Sequence, residues 1–105
     1  MKSISPQELN DRLDRGEKIQ IIDIREDHER EICCLESEHI PMDQIMGNLQ
    51  QIRTDIDVVI HCKGGDRASA VVHLLEKKHG FSNVYNLKGG IIAWAESVDP
   101  QMATY

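Results

Sequence analysis

Residues 58–69, with the sequence VVIHCKGGDRAS, constrain the fold and the chemistry of this chain more than any other segment. The order predicts a buried strand, a tight glycine-containing loop and a helix, with the thiol of Cys62 at the carboxyl end of the strand. Loop amides and the positive end of the helix dipole favour anionic sulfur there, and the thiolate is the nucleophilic form of cysteine. The competing interpretation is a structural cysteine, because cysteine is among the most buried residue types.

Composition and charge limit the class of protein. The chain has 105 residues, of which 40% are hydrophobic and 29% charged, so we expect one folded domain over residues 1–105. The formal net charge of −6 argues against nucleic-acid binding, which needs a basic surface. No segment has the length and apolarity of a membrane span, and the start lacks the apolar core of a signal peptide, so we expect a cytoplasmic protein. Three cysteines without an export signal indicate free thiols rather than a disulfide framework.

Helix and strand patterns alternate along the chain. Ser5 is the expected cap of a first helix that ends at Gly16. The charged run over residues 26–31 is expected to be a short helix whose charges are solvated. The other predicted elements are strands over residues 19–24, 57–62 and 83–87, and helices over residues 44–52, 68–79 and 91–97. In the helix over residues 68–79, the positions expected to face inward are Ala70, Val71, Leu74 and Leu75.

Several polar side chains follow predicted strands. Strands separated by helices indicate parallel pairing, and ligands of such sheets bind beyond the carboxyl ends of the strands. Cys62, Asp23, Arg25 and Lys88 all fall at that edge, so we expect them to converge on one crevice. His61 should point away from the thiol side, because side chains alternate along a strand.

Four segments in this order resemble the rhodanese-like domains, which are sulfurtransferases. They are IIDIRE followed by HE (residues 21–26, 28 and 29), HIP (residues 39–41), HCKGGDRAS (residues 61–69) and LKGGIIAW (residues 87–94). Residues 31–33 and the ending over residues 91–105 look more specifically like the C-terminal rhodanese-like domains of enzymes that activate ubiquitin-like sulfur carriers for molybdopterin and thiamine biosynthesis. The resemblance implies a single α/β domain with a parallel sheet of about five strands and helices on both faces.

The resemblance also implies roles for particular residues. Cys62 would carry sulfur as a persulfide, and Arg67 would anchor the loop or bind an anionic donor. Asp23 and Arg25 would form an acidic and basic pair that supports the site. The loop residues whose amides would hold the outer sulfur are Lys63, Gly64, Gly65, Asp66 and Arg67.

No cofactor and no metal is implied. The implied partners are a small sulfur donor such as thiosulfate and, for the closer resemblance, a cysteine desulfurase and a ubiquitin-like sulfur-carrier protein, with no nucleic acid and no membrane.

Two features depart from the family pattern. The glycines that usually flank the His39 to Pro41 segment are missing, and Asp66 adds an acid to the active loop. Asp66 either opposes a thiolate or an anionic donor such as thiosulfate, or pairs with Arg67 or Lys63.

Other interpretations of the function, and of the roles of the cysteines, stay open. A rhodanese-like module can serve as a non-catalytic interaction or regulatory domain. A phosphatase or arsenate reductase has five residues between cysteine and arginine, whereas four separate Cys62 from Arg67. Cys33 and Cys34 with His39 match no familiar zinc-site spacing. Cys33 is a candidate for a transient disulfide with Cys62.

Overall fold

In the computed structural model, which describes residues 1–105, five parallel strands alternate with helices. The strands are β1 (Ser3–Ile4), β2 (Gln20–Asp23), β3 (Glu38–His39), β4 (Val58–His61) and β5 (Val84–Leu87). The helices are α1 (Pro6–Asp14), α2 (Asp27–Ile32), α3 (Met42–Ile45), α4 (Asp66–His79) and α5 (Gly90–Ser97), and a 3-10 turn covers Leu49–Gln51. None of these helices is long and apolar enough to span a lipid bilayer.

Strand β4 lies at the centre of the sheet. The strand order is β1-β5-β4-β2-β3, and every neighbouring pair is parallel. All four residues of β4 are buried, which is why this segment is a run of β-branched residues rather than an alternation of apolar and polar ones. The predicted α/β fold with a five-stranded parallel sheet is confirmed.

Side chains of β4 alternate between two hydrophobic clusters, one on each face of the sheet. Val58, Ile60 and then Cys62 belong to the cluster that packs under α4. Val59 belongs to the cluster on the other face, with Leu9 of α1 and residues of α5. Cys62 is therefore fixed by the core on the α4 face, and the alternation turns His61 to the opposite face, as expected.

Local signals at the helix ends agree with the structure. Ser5 caps α1: its Oγ accepts a hydrogen bond from the Glu8 amide at 3.1 Å, and Glu8 Oε1 accepts one from the Ser5 amide at 3.2 Å. Gly65 precedes α4 with a left-handed backbone (φ +111°), and Gly80 ends it (φ +71°). A sharp turn between Cys62 and α4 thus depends on a glycine at position 65.

The helix predicted over residues 44–52 is wrong. Helix α3 ends at Ile45, and the 3-10 turn begins only at Leu49. Gly47, a poor helix former, and Asn48, whose φ is −132°, separate the two pieces. The apolar spacing that predicted one helix therefore belongs to two short turns that bury Ile45 and Ile52 in the same cluster.

The inward face of α4 is also partly mispredicted. Ala70 and Leu74 are exposed, although both were expected to face the core. The buried positions are Ala68, Val71, Val72 and Leu75. These positions follow the i, i+3, i+4, i+7 spacing of one helix face, and the first of them, Ala68, donates its amide to Cys62 Sγ at 3.4 Å.

His61 is a buried group without full hydrogen bonding. Its Nε2 has no partner, and its Nδ1 lies 3.4 Å from the carbonyl oxygen of Cys62. Burial lowers the pKa of His61 from 6.5 to about 4, and the negative charge of Asp23 offsets only part of that effect. The folded protein therefore holds this imidazole neutral at neutral pH.

The stability of the fold should fall as the pH drops from 6.5 towards 4, because the unfolded chain protonates His61 before the folded chain does. Between about pH 7 and about pH 4.5, the free energy of unfolding of the wild type should fall by about 2 kcal/mol more than that of His61→Leu. Urea denaturation of both proteins at the two pH values measures the difference. Equal losses in the two proteins would contradict the assignment.

Candidate active site

The carboxyl ends of β2, β4 and β5 meet at one edge of the sheet. Cys62 follows β4 directly, and Asp23, the last residue of β2, is in register with His61. A cleft of about 430 Å³ opens above this edge. Its lining residues are Cys62, Lys63, Gly64, Asp66, Arg67, Gly89 and Ile92. Asp23 and Arg25 are fully buried and do not line the cleft, and neither does Lys88. The expectation that these three side chains converge with Cys62 on one crevice is therefore wrong.

The thiol of Cys62 forms the floor of the cleft. The residue is 1% exposed, and its Sγ accepts hydrogen bonds from the amides of Gly65 at 3.1 Å and Ala68 at 3.4 Å. Ala68 is the third residue of α4, so the start of that helix is directed at the sulfur. Ala68 lies just beyond the loop residues that the sequence singled out. Both amides and the helix dipole stabilise negative charge on sulfur.

Further amides of the loop remain available. The N–H groups of Lys63, Gly64, Asp66 and Arg67 donate to no group of the protein. The first amides of a helix have no partner within it, which accounts for Asp66 and Arg67. Unpaired amides beside a helix start form a site for an anion. The loop can therefore hold an anionic atom that is bonded to Cys62 Sγ or bound beside it.

The start of helix α5 binds the backbone carbonyls of the loop. The amides of Ile91 and Ile92 donate to the carbonyl oxygens of Cys62 at 3.0 Å and Lys63 at 3.2 Å. This contact needs Gly90, because a Cβ there would lie 2.3 Å from the Lys63 oxygen and 2.7 Å from the Cys62 oxygen. With two carbonyls of this segment bound to α5, the residues whose amides are unpaired line the cleft.

The Arg67 side chain forms an ion pair with Glu29 and is not free to bind a ligand in the cleft. The guanidinium makes two parallel hydrogen bonds to the carboxylate, at 2.8 and 2.9 Å, and the Glu29 side chain is only 8% exposed. The Arg67 guanidinium holds the pKa of Glu29 well below its usual range. The expectation that the charges of residues 26–31 are all solvated is wrong for Glu29. In this state Arg67 anchors the loop to α2.

A second ion pair lies under the first. Arg25 contacts Asp23 through Nη2–Oδ2 at 2.8 Å and Nε–Oδ1 at 3.0 Å, both side chains being fully buried. Burial acts to raise the pKa of Asp23, but the hydrogen bonds and charge of Arg25 outweigh it and leave that pKa lowered. Tyr105 joins the two pairs: Arg25 Nη1 donates to its hydroxyl at 3.0 Å, and that hydroxyl donates to Glu29 Oε2 at 2.5 Å.

The remaining charges at the cleft are those of Lys63 and Asp66. Lys63 Nζ lies 4.4 Å from the centroid of the Tyr105 ring. Asp66 is exposed and forms no ion pair, while Arg67 is taken by Glu29. Pairing of Asp66 with Arg67 or Lys63, one of the two arrangements expected from the sequence, is therefore wrong. Asp66 and Lys63 therefore bring opposite charges to the cleft without forming an ion pair.

The other cysteines lie elsewhere. Cys34 is exposed, and Cys33 packs against the cluster on the α1 and α5 face with its Sγ 3.8 Å from Arg25 Nη1. Cys62 packs in the opposite cluster, so a disulfide with Cys33 requires displacement across the sheet edge. His39 Nε2 bonds the carbonyl oxygen of Arg25 at 2.7 Å, and no group of three His, Cys, Asp or Glu side chains is placed to hold a metal ion.

The sequence analysis did not identify two residues of the site, Glu29 and Tyr105. Glu29 lies in a run of charges, but its spacing from Glu26 is that of a capping box, and in the structure its Oε1 accepts a hydrogen bond from the Glu26 amide at 3.0 Å. That spacing turns the Glu29 side chain back along the helix and was a usable signal. Tyr105 had no local signal for its contacts, because its partners are 76 and 80 residues away in the chain.

Known proteins are similar to this chain in sequence and in architecture. The family model of the rhodanese-like domain matches residues 5–97. The probable adenylyltransferase/sulfurtransferase MoeZ of Mycobacterium tuberculosis is 37% identical over 98% of this chain, which spans only 27% of that protein. A sulfurtransferase of Allochromatium vinosum is 34% identical over 98% of this chain and 96% of its own length. A crystal structure of a rhodanese-like domain protein from Staphylococcus aureus superposes with a TM-score of 0.84 at 34% identity, covering 100% of this chain and 99% of that one.

Because α5 and the loop are in close contact at Gly90, a larger residue at this position should destabilise the fold. Gly90→Ala forces a Cβ against two loop carbonyls at a backbone φ of +62°, so the free energy of unfolding should fall by about 3 kcal/mol or more. Urea denaturation measures this loss. The matched control is Gly64→Ala in the same loop, where a Cβ meets nothing within 4 Å and the change should cost less than about 1 kcal/mol. Similar losses for the two variants would contradict the described packing.

Proposed function

The chain belongs to the rhodanese-like family, and we propose that it is a sulfurtransferase that carries sulfur as a persulfide on Cys62. The observation that supports the proposal most is the set of amides around the thiol. Two of them already donate to Sγ, and four more are unpaired at the cleft. An additional sulfur atom bonded to Cys62 would carry negative charge near neutral pH, and these donors and the dipole of α4 would stabilise it.

Loading is the first step of the proposed reaction. The Cys62 thiolate attacks the sulfane sulfur of the donor, and a bond forms between Sγ and that sulfur. The donor's own bond to the sulfur breaks and takes its electron pair, so thiosulfate would leave as sulfite and a donor persulfide as its thiolate. No oxidant and no cofactor enters this balance.

Transfer is the second step. A nucleophile of the acceptor attacks the outer sulfur, and the electron pair of the Sγ–S bond returns to Sγ. The Cys62 thiolate is regenerated, and the acceptor carries the sulfur. In this step the amides at 3.1 and 3.4 Å from Sγ stabilise the leaving thiolate.

The proposed partners follow from the relatives. One relative is named an adenylyltransferase/sulfurtransferase, and this chain corresponds to about a quarter of it. We therefore propose a protein acceptor of the ubiquitin-like sulfur-carrier type, in the molybdopterin context, and a cysteine desulfurase persulfide as a donor alongside small donors. The transfer step above applies to nucleophilic acceptors such as thiols. With a carrier whose C-terminal carboxyl is activated as an acyl adenylate, the outer sulfur would instead attack the acyl carbon and AMP would leave, after which a thiol reductant would cleave the Sγ–S bond to release a thiocarboxylate and the Cys62 thiol. A non-catalytic interaction module is the alternative that a sulfur-loading experiment excludes or supports.

Charge at the cleft bears on the choice of donor. Asp66 lines the cleft, is exposed and lacks a cationic partner, while Arg67 is committed to Glu29. An anionic donor approaching Cys62 would be repelled by this carboxylate. We propose that Asp66 disfavours thiosulfate relative to a donor that brings its sulfur on a protein persulfide.

Intact-protein mass after incubation with thiosulfate, or with a cysteine desulfurase and cysteine, tests the function. The wild type should gain one sulfur atom that reductant removes, and Cys62→Ser should gain none. Cys34→Ser is the control, because it removes an exposed thiol outside the cleft and should load like the wild type. No sulfur gain from either donor, or an unchanged gain in Cys62→Ser, would reject the proposal.

Removal of the Asp66 charge should select between donors. Asp66→Asn should raise kcat/KM for thiosulfate by about tenfold, because one repulsive unit charge leaves the cleft, and should change loading by a desulfurase much less. Asp14→Asn, which changes the net charge equally at an exposed position on α1, is the control. An equal change for both donors, or none for thiosulfate, would contradict the electrostatic explanation.

A further inference from the structure

Tyr105 reaches the active loop although it lies far from the loop in sequence. The segment after α5 crosses the face of the sheet opposite to Cys62, where Val98, Met102 and Tyr105 pack on the hydrophobic cluster. At its end the Tyr105 side chain contacts charged groups from three separate segments. They are Arg25 after β2, Glu29 of α2 and Lys63 of the loop.

The hydroxyl of Tyr105 bridges the Asp23–Arg25 and Glu29–Arg67 ion pairs. It accepts from Arg25 Nη1 and donates to Glu29 Oε2, at 3.0 and 2.5 Å. Arg25 also bonds Asp23 and the Cys33 carbonyl, and Glu29 also bonds Arg67 and the Glu26 amide. Without the hydroxyl, Arg25 Nη1 and Glu29 Oε2 would each lose one hydrogen bond, and Glu29 Oε2 would keep only its bond to Arg67.

The ring of Tyr105 holds the other cation. Lys63 Nζ lies 4.4 Å from the ring centroid, within the range of a cation–π interaction. The lysine stem is flexible, and Lys63 forms no ion pair in the structure, so this ring is the contact that localises its charge. Both loop cations next to Cys62 are therefore placed by one residue, Lys63 directly and Arg67 through Glu29.

We propose that Tyr105 is a positioning residue of the active site: its ring fixes the charge of Lys63 beside the cleft, and its hydroxyl aligns the Glu29 carboxylate that clamps Arg67. The proposal rests on the function proposed for Cys62 only in so far as the positioned charges serve sulfur chemistry. The placement of Lys63 is measurable without any sulfur transfer.

Alkylation of Cys62 measures the local charge. Iodoacetate is anionic and iodoacetamide is neutral, so the ratio of their rate constants at Cys62, followed on the Cys62 peptide by mass spectrometry, rises with positive charge at the cleft. Lys63→Met should lower this ratio about threefold. Tyr105→Leu should lower it in the same direction but by less, because the charge is released and not removed, and Tyr105→Phe should leave it unchanged. The double variant Tyr105→Leu/Lys63→Met should fall no lower than Lys63→Met alone.

The hydroxyl is tested on sulfur loading of the same proteins. Tyr105→Phe should load about fivefold more slowly than the wild type, and this fall should vanish in a Glu29→Gln background, since the hydroxyl acts through that carboxylate. The control is Tyr85, which packs on the same cluster and has Lys2 Nζ 5.5 Å from its ring centroid. Tyr85→Phe and Tyr85→Leu should leave both the ratio and the loading rate unchanged.

The outcomes separate the two proposals. An unchanged ratio in Tyr105→Leu, or a full second fall in the double variant, would overturn the placement of Lys63. Normal loading by Tyr105→Phe, or an equal fall in the Glu29→Gln background, would overturn the role of the hydroxyl. If no protein gains sulfur while the alkylation ratios follow the expected order, the sulfurtransferase function is wrong and the positioning of Lys63 by Tyr105 is supported. Should Tyr105→Leu fail to fold, Tyr105→Met removes the ring in its place for the alkylation ratio, and Tyr105→Phe still tests the hydroxyl.

Discussion

Two hydrogen bonds from the start of α5, to the carbonyls of Cys62 and Lys63, set the orientation of the active loop, and the rest of the site depends on them. Buried backbone carbonyls need hydrogen-bond donors, and in this loop the amides of the loop itself are not used for that purpose. Here α5 supplies those donors at the closest approach that Gly90 allows. The amides of Gly65 and Ala68 then converge on Sγ, and four others remain unpaired at the cleft. The geometry at Cys62 is thus a consequence of how β4, β5 and α5 pack.

Charge is arranged in layers beneath this loop. Asp23 and Arg25 neutralise each other in the interior, and Glu29 and Arg67 do so nearer the surface. Buried ion pairs contribute little net stability, because desolvation offsets their attraction, but an unpaired member is costly. These pairs therefore fix positions more than they stabilise the fold. Negative charge on sulfur at Cys62 is held chiefly by amides, since the nearest guanidinium is already paired.

Much of the fold and the centre of the site followed from local sequence. The β-branched run before Cys62, the glycines after it and the caps at Ser5 and Gly80 each encode their structure within a few residues. Parallel topology then brings Asp23, Arg25 and Cys62 to one edge. The rest depends on contacts distant in sequence. Strand β1, only two residues long, exists through pairing with β5, and the burial of Glu29 depends on Arg67 and Tyr105.

The central claim is that the loop amides hold a second sulfur atom on Cys62. A crystal structure of the protein after incubation with a sulfur donor tests it most directly. The account predicts electron density for one added sulfur on Sγ, within about 3.5 Å of amide nitrogens of residues 63–67, with Arg67 still paired to Glu29. Added sulfur on Cys33 or Cys34 alone, or an outer sulfur on Cys62 that turns away from the loop amides, would contradict it.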